Sequence, residues 1–249
     1  EKLQIQAQEL PVEPYVLGAW LGDGTSCQAA ISTADKDILS KIEQKGYKIT
    51  NRTSTFNYGI IGLLDGLRKA EVYKNKHIPQ IYLRGSIEQR LELLRGLMDT
   101  DGTVNSSGSC EFCNTSKAIL EGVKELLVSL GIKANVRTGR ALLYGKDCGE
   151  KYTIKFTAPF SAFHLPRKQI RQKTDLRGVQ EWRMIKSIEP IESVPVRCIE
   201  VNSASHLYLA GKGMIPTHNS HLMRVIAIYL CLTIAGLQVY LFRRISEDL

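Results

Sequence analysis

Read as a pattern of apolar and polar positions, the chain contains the same sequence of elements twice. An apolar helical stretch, Val16-Leu-Gly-Ala-Trp-Leu-Gly-Asp-Gly24-Thr, recurs as Leu94-Arg-Gly-Leu-Met-Asp-Thr-Asp-Gly102-Thr, and in each copy the glycine ends the helix. A short alternating strand follows (Gln28–Ser32; Cys110–Asn114), then an amphipathic helix with apolar residues at helical spacing (Lys36–Lys45; Ser116–Leu130). Gly46-Tyr-Lys-Ile and Gly131-Ile-Lys-Ala close those helices alike and open strand-rich segments, which end in Lys76-His-Ile-Pro79 and His164-Leu-Pro166. Alternation predicts strands at Ser26–Ser32, Lys48–Phe56, Ser109–Asn114, Ala134–Leu143 and Lys151–Thr157. The pattern is that of a duplicated α+β unit.

After Trp182 the texture changes to short alternating runs: Arg183–Pro190, Val196–Val201, His206–Ala210 and Gly213–Ser220. Val225–Phe242 is apolar apart from Thr233 and Gln238 and just long enough to span a membrane. Gly236 splits it, however, and Leu237-Gln-Val-Tyr-Leu-Phe-Arg reads as a strand, so the expectation is a buried helix, a turn and a buried strand, with no membrane partner.

The repeated element has its own chemistry. Gly18 and Gly22 lie one helical turn apart, and Gly96 and Thr100 match them. Small residues on one stripe let two helix backbones approach closely. If the copies pack on each other, Asp23 and Asp101 meet at their C-terminal ends. Two carboxylates forced together are costly unless a cation neutralises them, and hard oxygen ligands favour Mg2+ over zinc.

Composition adds a partner class. The 249 residues carry 33 Lys plus Arg against 25 Asp plus Glu, a net charge of +8, which favours a polyanion. The six cysteines are scattered as in a reduced, cytoplasmic protein, and Cys110-Glu-Phe-Cys113 lacks the second pair that a zinc site requires. Glu1–Leu10 is polar and has no apolar signal region.

The two acidic motifs and their surroundings, roughly residues 12–178, resemble the LAGLIDADG homing endonucleases. The second copy, Leu94-Arg-Gly-Leu-Met-Asp-Thr-Asp-Gly102, is close to the family signature; the first has Leu21-Gly22 where Asp-Ala is more usual. The resemblance implies a pseudo-twofold pair of αββαββα halves, about 14–90 and 91–180, working as a monomer. Their saddle-like antiparallel sheets would lie on double-stranded DNA. It also implies metal ions held by Asp23 and Asp101, with Gly22 and Thr100 beside them, cutting both strands. A family lysine near the Ile-Pro or Leu-Pro of each half is matched by Lys76; the second half offers His164, or Lys168 a few residues on, to orient water or steady phosphate charge. Gln28, Asn51, Arg52, Glu111, Arg137, Arg140 and Lys155 on the sheets, and Arg167 and Arg171 in the basic run beyond, are the expected DNA contacts. The alternative is a LAGLIDADG-like nucleic-acid-binding protein without cleavage, of the maturase or regulator type. The retained Asp23 and Asp101 favour the nuclease.

Residues 181–219 resemble the C-terminal part of an intein, a partial all-β Hint segment. There Asn219 would cyclise on its own carbonyl, His218 would assist by proton transfer, and Ser220 would supply the acceptor hydroxyl. Cys198 with Thr217 is similar to the inteins that use an internal cysteine nucleophile. Nothing before Pro14 resembles the N-terminal splicing block, so residues 1–13 read as a linker. Cleavage at Asn219–Ser220 is expected only with the missing N-terminal intein half. Residues 220–249 resemble the helix and strand after a P-loop, as in a phage terminase large subunit, with Ser220 closing G-x-x-x-x-G-K-[ST].

Overall fold

The computed structural model describes residues 2–52, 55–175, 182, 184–192, 194–195, 199, 201–202, 205, 207–217 and 228–238. The chain divides into two compact units, Glu1–Lys186 and Ser187–Leu249.

The first unit is α+β and built twice over. Its first half runs α1 (Pro14–Asp23), β1 (Ala30–Ser32), α2 (Lys36–Gln44), β2 (Lys48–Asn51), β3 (Asn57–Ile61), α3 (Leu63–Lys69) and α4 (Gln80–Leu83). The second runs α5 (Ile87–Asp101), β4 (Gly102–Val104), β5 (Cys110–Asn114), α6 (Lys117–Ser129), β6 (Ala134–Leu143), β7 (Lys146–Phe156) and α7 (Pro166–Gln169). The sheets are antiparallel, ordered β1-β3-β2 and β4-β5-β7-β6. The counterpart of β4 in the first half has shrunk to a single bridge, Gly24 to Ile31, matching the Gly102–Phe112 pair of the second.

Local chemistry sets the element ends. Ser86 and Gln89 form a reciprocal capping box on α5, Ser116 caps α6 by accepting from Ile119 N, and Asp35 caps α2. Pro14 opens α1 at a position whose amide has no helical partner. One apolar core runs through both halves, from Tyr15, Leu17 and Trp20 on α1 to Leu94, Phe112, Leu126 and Phe163.

The axis of the unit is the α1–α5 contact. A Cβ on Gly96 would lie 2.2 Å from the Tyr15 carbonyl oxygen and 2.7 Å from Ala19 N; one on Gly18 would lie 2.3 Å from the Leu93 carbonyl. The backbones therefore touch, and no side chain larger than hydrogen fits between them.

The structure differs from sequence expectation at several places. The strand expected over Lys48–Phe56 is shorter, ending at Asn51, and β3, which the sequence did not indicate, begins at Asn57 just after Phe56 takes φ 64°. Residues 2–12 are not a free linker. Leu3 N donates to Ser129 O (2.8 Å), and the buried Arg90 guanidinium donates to Leu3 O, Gly85 O (3.0 Å) and Ser129 O (2.8 Å). The Tyr82 hydroxyl both accepts from Val12 N (2.9 Å) and donates to Val12 O (2.8 Å). This extended segment supplies the acceptors that a buried cation requires.

In the second unit, β8 (Tyr208–Ala210) and β9 (Ile215–Thr217) form a hairpin pairing Tyr208 with Thr217. The expected strand at 183–190 is absent among its described residues: 184–190 have no regular structure, and Ile188 stands 86% exposed with no described strand to pair it. Residues 228–233 are helical and Gly236 turns with φ 78°, but Tyr229 and Leu232 are exposed, so the helix is not the buried one expected. Among the described residues no helix is long and apolar enough to cross a membrane.

Gly96→Ala is expected to destabilise the chain by about 3 kcal/mol, because the methyl group meets backbone that cannot move aside. Gly139→Ala, whose added carbon meets only the Lys151 side chain at 3.8 Å, should cost less than about 1 kcal/mol. Urea unfolding of the two variants measures the difference.

Candidate active site at the ends of the paired helices

Because α1 and α5 touch along their lengths, their last turns arrive side by side, each ending in an aspartate followed by glycine. Gly22 lies against Thr100, whose hydroxyl a Gly22 Cβ would meet at 2.1 Å. Thr100 Oγ1 is turned back onto its own helix, donating to Leu97 O (2.9 Å). The carboxylates of Asp23 and Asp101 are thus brought together. Burial, then the charge of Asp101, pushes Asp23 up to about 6, against the pull of Lys168 and Lys76. Asp101 is also raised by burial, opposed by a hydrogen bond from Asn114 Nδ2 (2.9 Å) and by the two lysines.

The lysines repeat one another closely. Lys76 Nζ donates to the carbonyls of Leu21 (3.0 Å), Gly22 (3.3 Å) and Gly24 (2.6 Å). Lys168 Nζ contacts those of Asp99 (2.6 Å), Thr100 (3.3 Å) and Gly102 (2.7 Å), which are the same three positions of the second motif, and that of Met98 (2.9 Å). Each ammonium therefore closes the C-terminal end of one helix, where carbonyl dipoles converge. Each also lies over an aromatic ring, Trp20 at 5.1 Å and Phe163 at 5.6 Å. Burial lowers both, Lys168 to about 8.

This arrangement corrects the reading of the second half. His164 occupies the sequence position of the family lysine, yet its Nε2 lies 2.8 Å from Glu92 Oε1 and its ring meets Tyr15 edge-on at 5.3 Å. It belongs to an ion-pair cluster in which Glu92 also binds Lys45 (2.6 Å) and Arg95 (2.9 Å), and which holds the Glu92 carboxyl far below its usual range. Lys168 takes the place next to Asp101 because Pro166 starts α7, and that helical turn carries Lys168 back towards α5.

Two contributors were not singled out from sequence. Asn114 bridges Asp101 and the start of α6, its Oδ1 accepting from Ser116 N (2.8 Å). Asp99 is buried and accepts from the Tyr15 hydroxyl (3.0 Å), His164 N (3.0 Å) and Leu165 N (3.2 Å), fastening the loop that leads to Lys168. The Asp-Thr-Asp of the second motif shows Asp99; only its partners reveal its use.

The residues fit a hard divalent cation. Two half-buried carboxylates repel each other, and the Gly22 and Thr100 carbonyls are only weakly engaged at 3.3 Å. Among the described residues no three His, Cys, Asp or Glu side chains cluster as metal ligands, so the remaining positions would fall to water and phosphate oxygens, as Mg2+ prefers. Cys110 is buried in β5 with its thiol pushed up to about 12, while Cys113 is exposed, so the pair makes no zinc site.

The expected DNA contacts separate by face. Register places Glu111, Lys155 and Arg137 on the outward face of the second sheet, where they line one cavity of about 250 Å³ with Thr138, Gly139 and Thr153. Arg140 has the opposite parity and is paired with Asp147 (2.6 Å). In the first sheet Arg52 lies over Gly59 and donates to Gln28 Oε1, whereas Asn51 shares the parity of Tyr58 and Ile31 on the inner face. In the basic run, Arg167 and Arg171 are exposed, the first paired with Asp35 (2.6 Å) and the second donating to Val104 O (2.8 Å), whereas Lys168 is buried. Thr217 ends β9; Cys198, His218, Asn219 and Ser220 lie outside the described residues.

The raised aspartates give a signed prediction. Asp23 keeps its proton to higher pH when folded, so the folded state binds more protons between about pH 4 and 6, and stability falls as pH rises through that window. In EDTA at pH 7, Asp23→Asn should therefore be more stable than wild type by about 1 kcal/mol after allowance for solvent screening, with the gap closing at pH 4. Calorimetry of both proteins at the two pH values measures it.

A replicative DNA helicase DnaB of Mycobacterium intracellulare is 43% identical over 224 residues, 88% of this chain and 37% of that protein. A replicative DNA helicase DnaB of Mycobacterium leprae is 66% identical over 38 residues, 15% of this chain and 6% of that protein. The chain thus spans well under half of the curated relatives it matches. Among solved structures, I-DmoI in complex with DNA and Ca is similar at 14% identity and a TM-score of 0.42, covering 64% of this chain and 95% of that one. Residues 88–156, from α5 through β7, match the family model described as a LAGLIDADG-like domain.

Proposed function

We propose that the first unit is a site-specific, divalent-cation-dependent endonuclease acting on double-stranded DNA as a single chain, with Mg2+ as its ion. The observation that carries this reading is the matched pair of aspartates at the touching helix ends, each backed by a lysine, half-buried Lys76 or buried Lys168, on three equivalent carbonyls. A divalent cation bound at Asp23 and Asp101, with the Gly22 and Thr100 carbonyls nearby, supplies Lewis-acid charge for in-line attack of water on a phosphodiester. The protein's own part is positional. Lys76 and Lys168 fix the last helical turns and offset the carboxylate charge; Asn114 holds Asp101 in one orientation. Two such half-sites suit one cut in each strand.

We further infer that this nuclease sits within an intein interrupting a replicative helicase. The DnaB relatives support that host in place of the terminase suggested by the P-loop-like residues 220–249. The splicing step itself would proceed by attack of the Asn219 side-chain nitrogen on its own carbonyl carbon, forming a succinimide and releasing the Ser220 amine, with His218 transferring the proton. The β8–β9 hairpin ending at Thr217 is a strand pair of the kind that would present this junction.

The test is incubation of the chain with Mg2+ and duplex DNA of the uninterrupted helicase gene. Cleavage at one site is expected, reduced at least about 100-fold by Asp23→Asn or Asp101→Asn. Lys168→Met should slow it about 100-fold while His164→Gln changes it less than about threefold. Binding without cutting would make the chain a nucleic-acid-binding regulator.

A further inference from the structure

The second sheet presents a carboxylate on the face expected to meet DNA. At the centre of that face stand Glu111, Lys155, Thr153, Arg137, Asn135 and Lys151, and Glu111 is the one acid among these positions. A carboxylate facing a polyanion lowers affinity for every sequence, unless it accepts a hydrogen bond that only some sequences offer.

The surroundings hold Glu111 in place for such a contact. Asn105 Nδ2 donates to Glu111 Oε1 (2.8 Å), and Lys155 Nζ lies 3.6 Å from the same oxygen. Both contacts use Oε1, which leaves Oε2 to accept from a ligand. The side chain is one-third exposed and opens on the cavity it shares with Arg137. Major-groove acceptors on the bases repel a carboxylate, whereas the exocyclic amino groups of cytosine (N4) and adenine (N6) can donate to it.

Resting on the DNA-binding reading above, we propose that Glu111 is a specificity-determining residue that demands a base bearing a major-groove amino group at one position of the target and rejects guanine and thymine there. The rejection has two parts. The preferred base satisfies Oε2, and the others leave a desolvated carboxylate against an acceptor. Arg137, on the same cavity, suits the acceptor edge of a guanine beside it.

The test is selection of bound duplexes from a random pool by the full chain in EDTA, followed by sequencing, for wild type, Glu111→Gln and Glu111→Ala. Wild type should show one position restricted to cytosine or adenine by about tenfold, and the sequencing states which. Glu111→Ala should lose that restriction alone, keep the preferences elsewhere, and bind non-specific duplex more tightly. Glu111→Gln, which keeps the size and one acceptor oxygen and adds an amide donor, should move the restriction towards adenine. An unchanged preference profile in both variants overturns the inference and leaves DNA binding intact. Failure of wild type to retain any duplex overturns the DNA-binding reading and this inference with it.

Discussion

Everything in the first unit depends on one contact, the approach of the α1 and α5 backbones at Gly18 and Gly96. A side chain at either glycine would move the axes apart, and the helix ends would separate with them. Close approach puts the two helix C-termini, each with unsatisfied carbonyls and a terminal aspartate, in one place. That concentrates negative charge, both formal and dipolar. The fold answers with an ammonium group at each end, half-buried Lys76 and buried Lys168, and neither forms an ion pair with a carboxylate within 4 Å among the described residues. Their donors are spent on carbonyls, so the aspartates stay electrostatically underneutralised and available to a cation.

The halves repeat in topology but have drifted in detail. The second has strands of 10 and 11 residues in β6 and β7, where β2 and β3 have 4 and 5. Asp99 fastens the loop to α7, whereas its counterpart Leu21 is simply buried. The lysines reach equivalent carbonyls from opposite sides of their prolines, Lys76 before Pro79 and Lys168 after Pro166. The ammonium ends at equivalent carbonyls in both halves, and two different backbone routes deliver it.

That is why the sequence was legible in some places and not in others. The repeat, the glycine stripe and the terminal aspartates are local patterns with a direct geometric meaning, and they indicated the helix pair and its chemistry. The basic residue of the second half stayed open between His164 and Lys168, because linear register carries no information about the turn of α7. Arg140 and Arg137 looked alike in composition but differ by an odd number of positions along a strand, so they face opposite ways. In the basic run from Arg167, three side chains that look alike in sequence find separate partners: Arg167 pairs with Asp35, Arg171 with the Val104 carbonyl and Lys168 with the helix end. Pairing of this kind is set by tertiary neighbours, which residue type does not reveal.

The segment pinned by Arg90 bears on how the protein is made. Leu3 hydrogen-bonds to Ser129, so the segment around Leu3 finds its seat only after α6 has been synthesised. At about 5–20 residues per second, that is a wait of several seconds or more. During this interval Arg90 lacks the Leu3 carbonyl and the second half lacks its last strap. The segment around Leu3 is seated only once Arg90 and Ser129 are both in place.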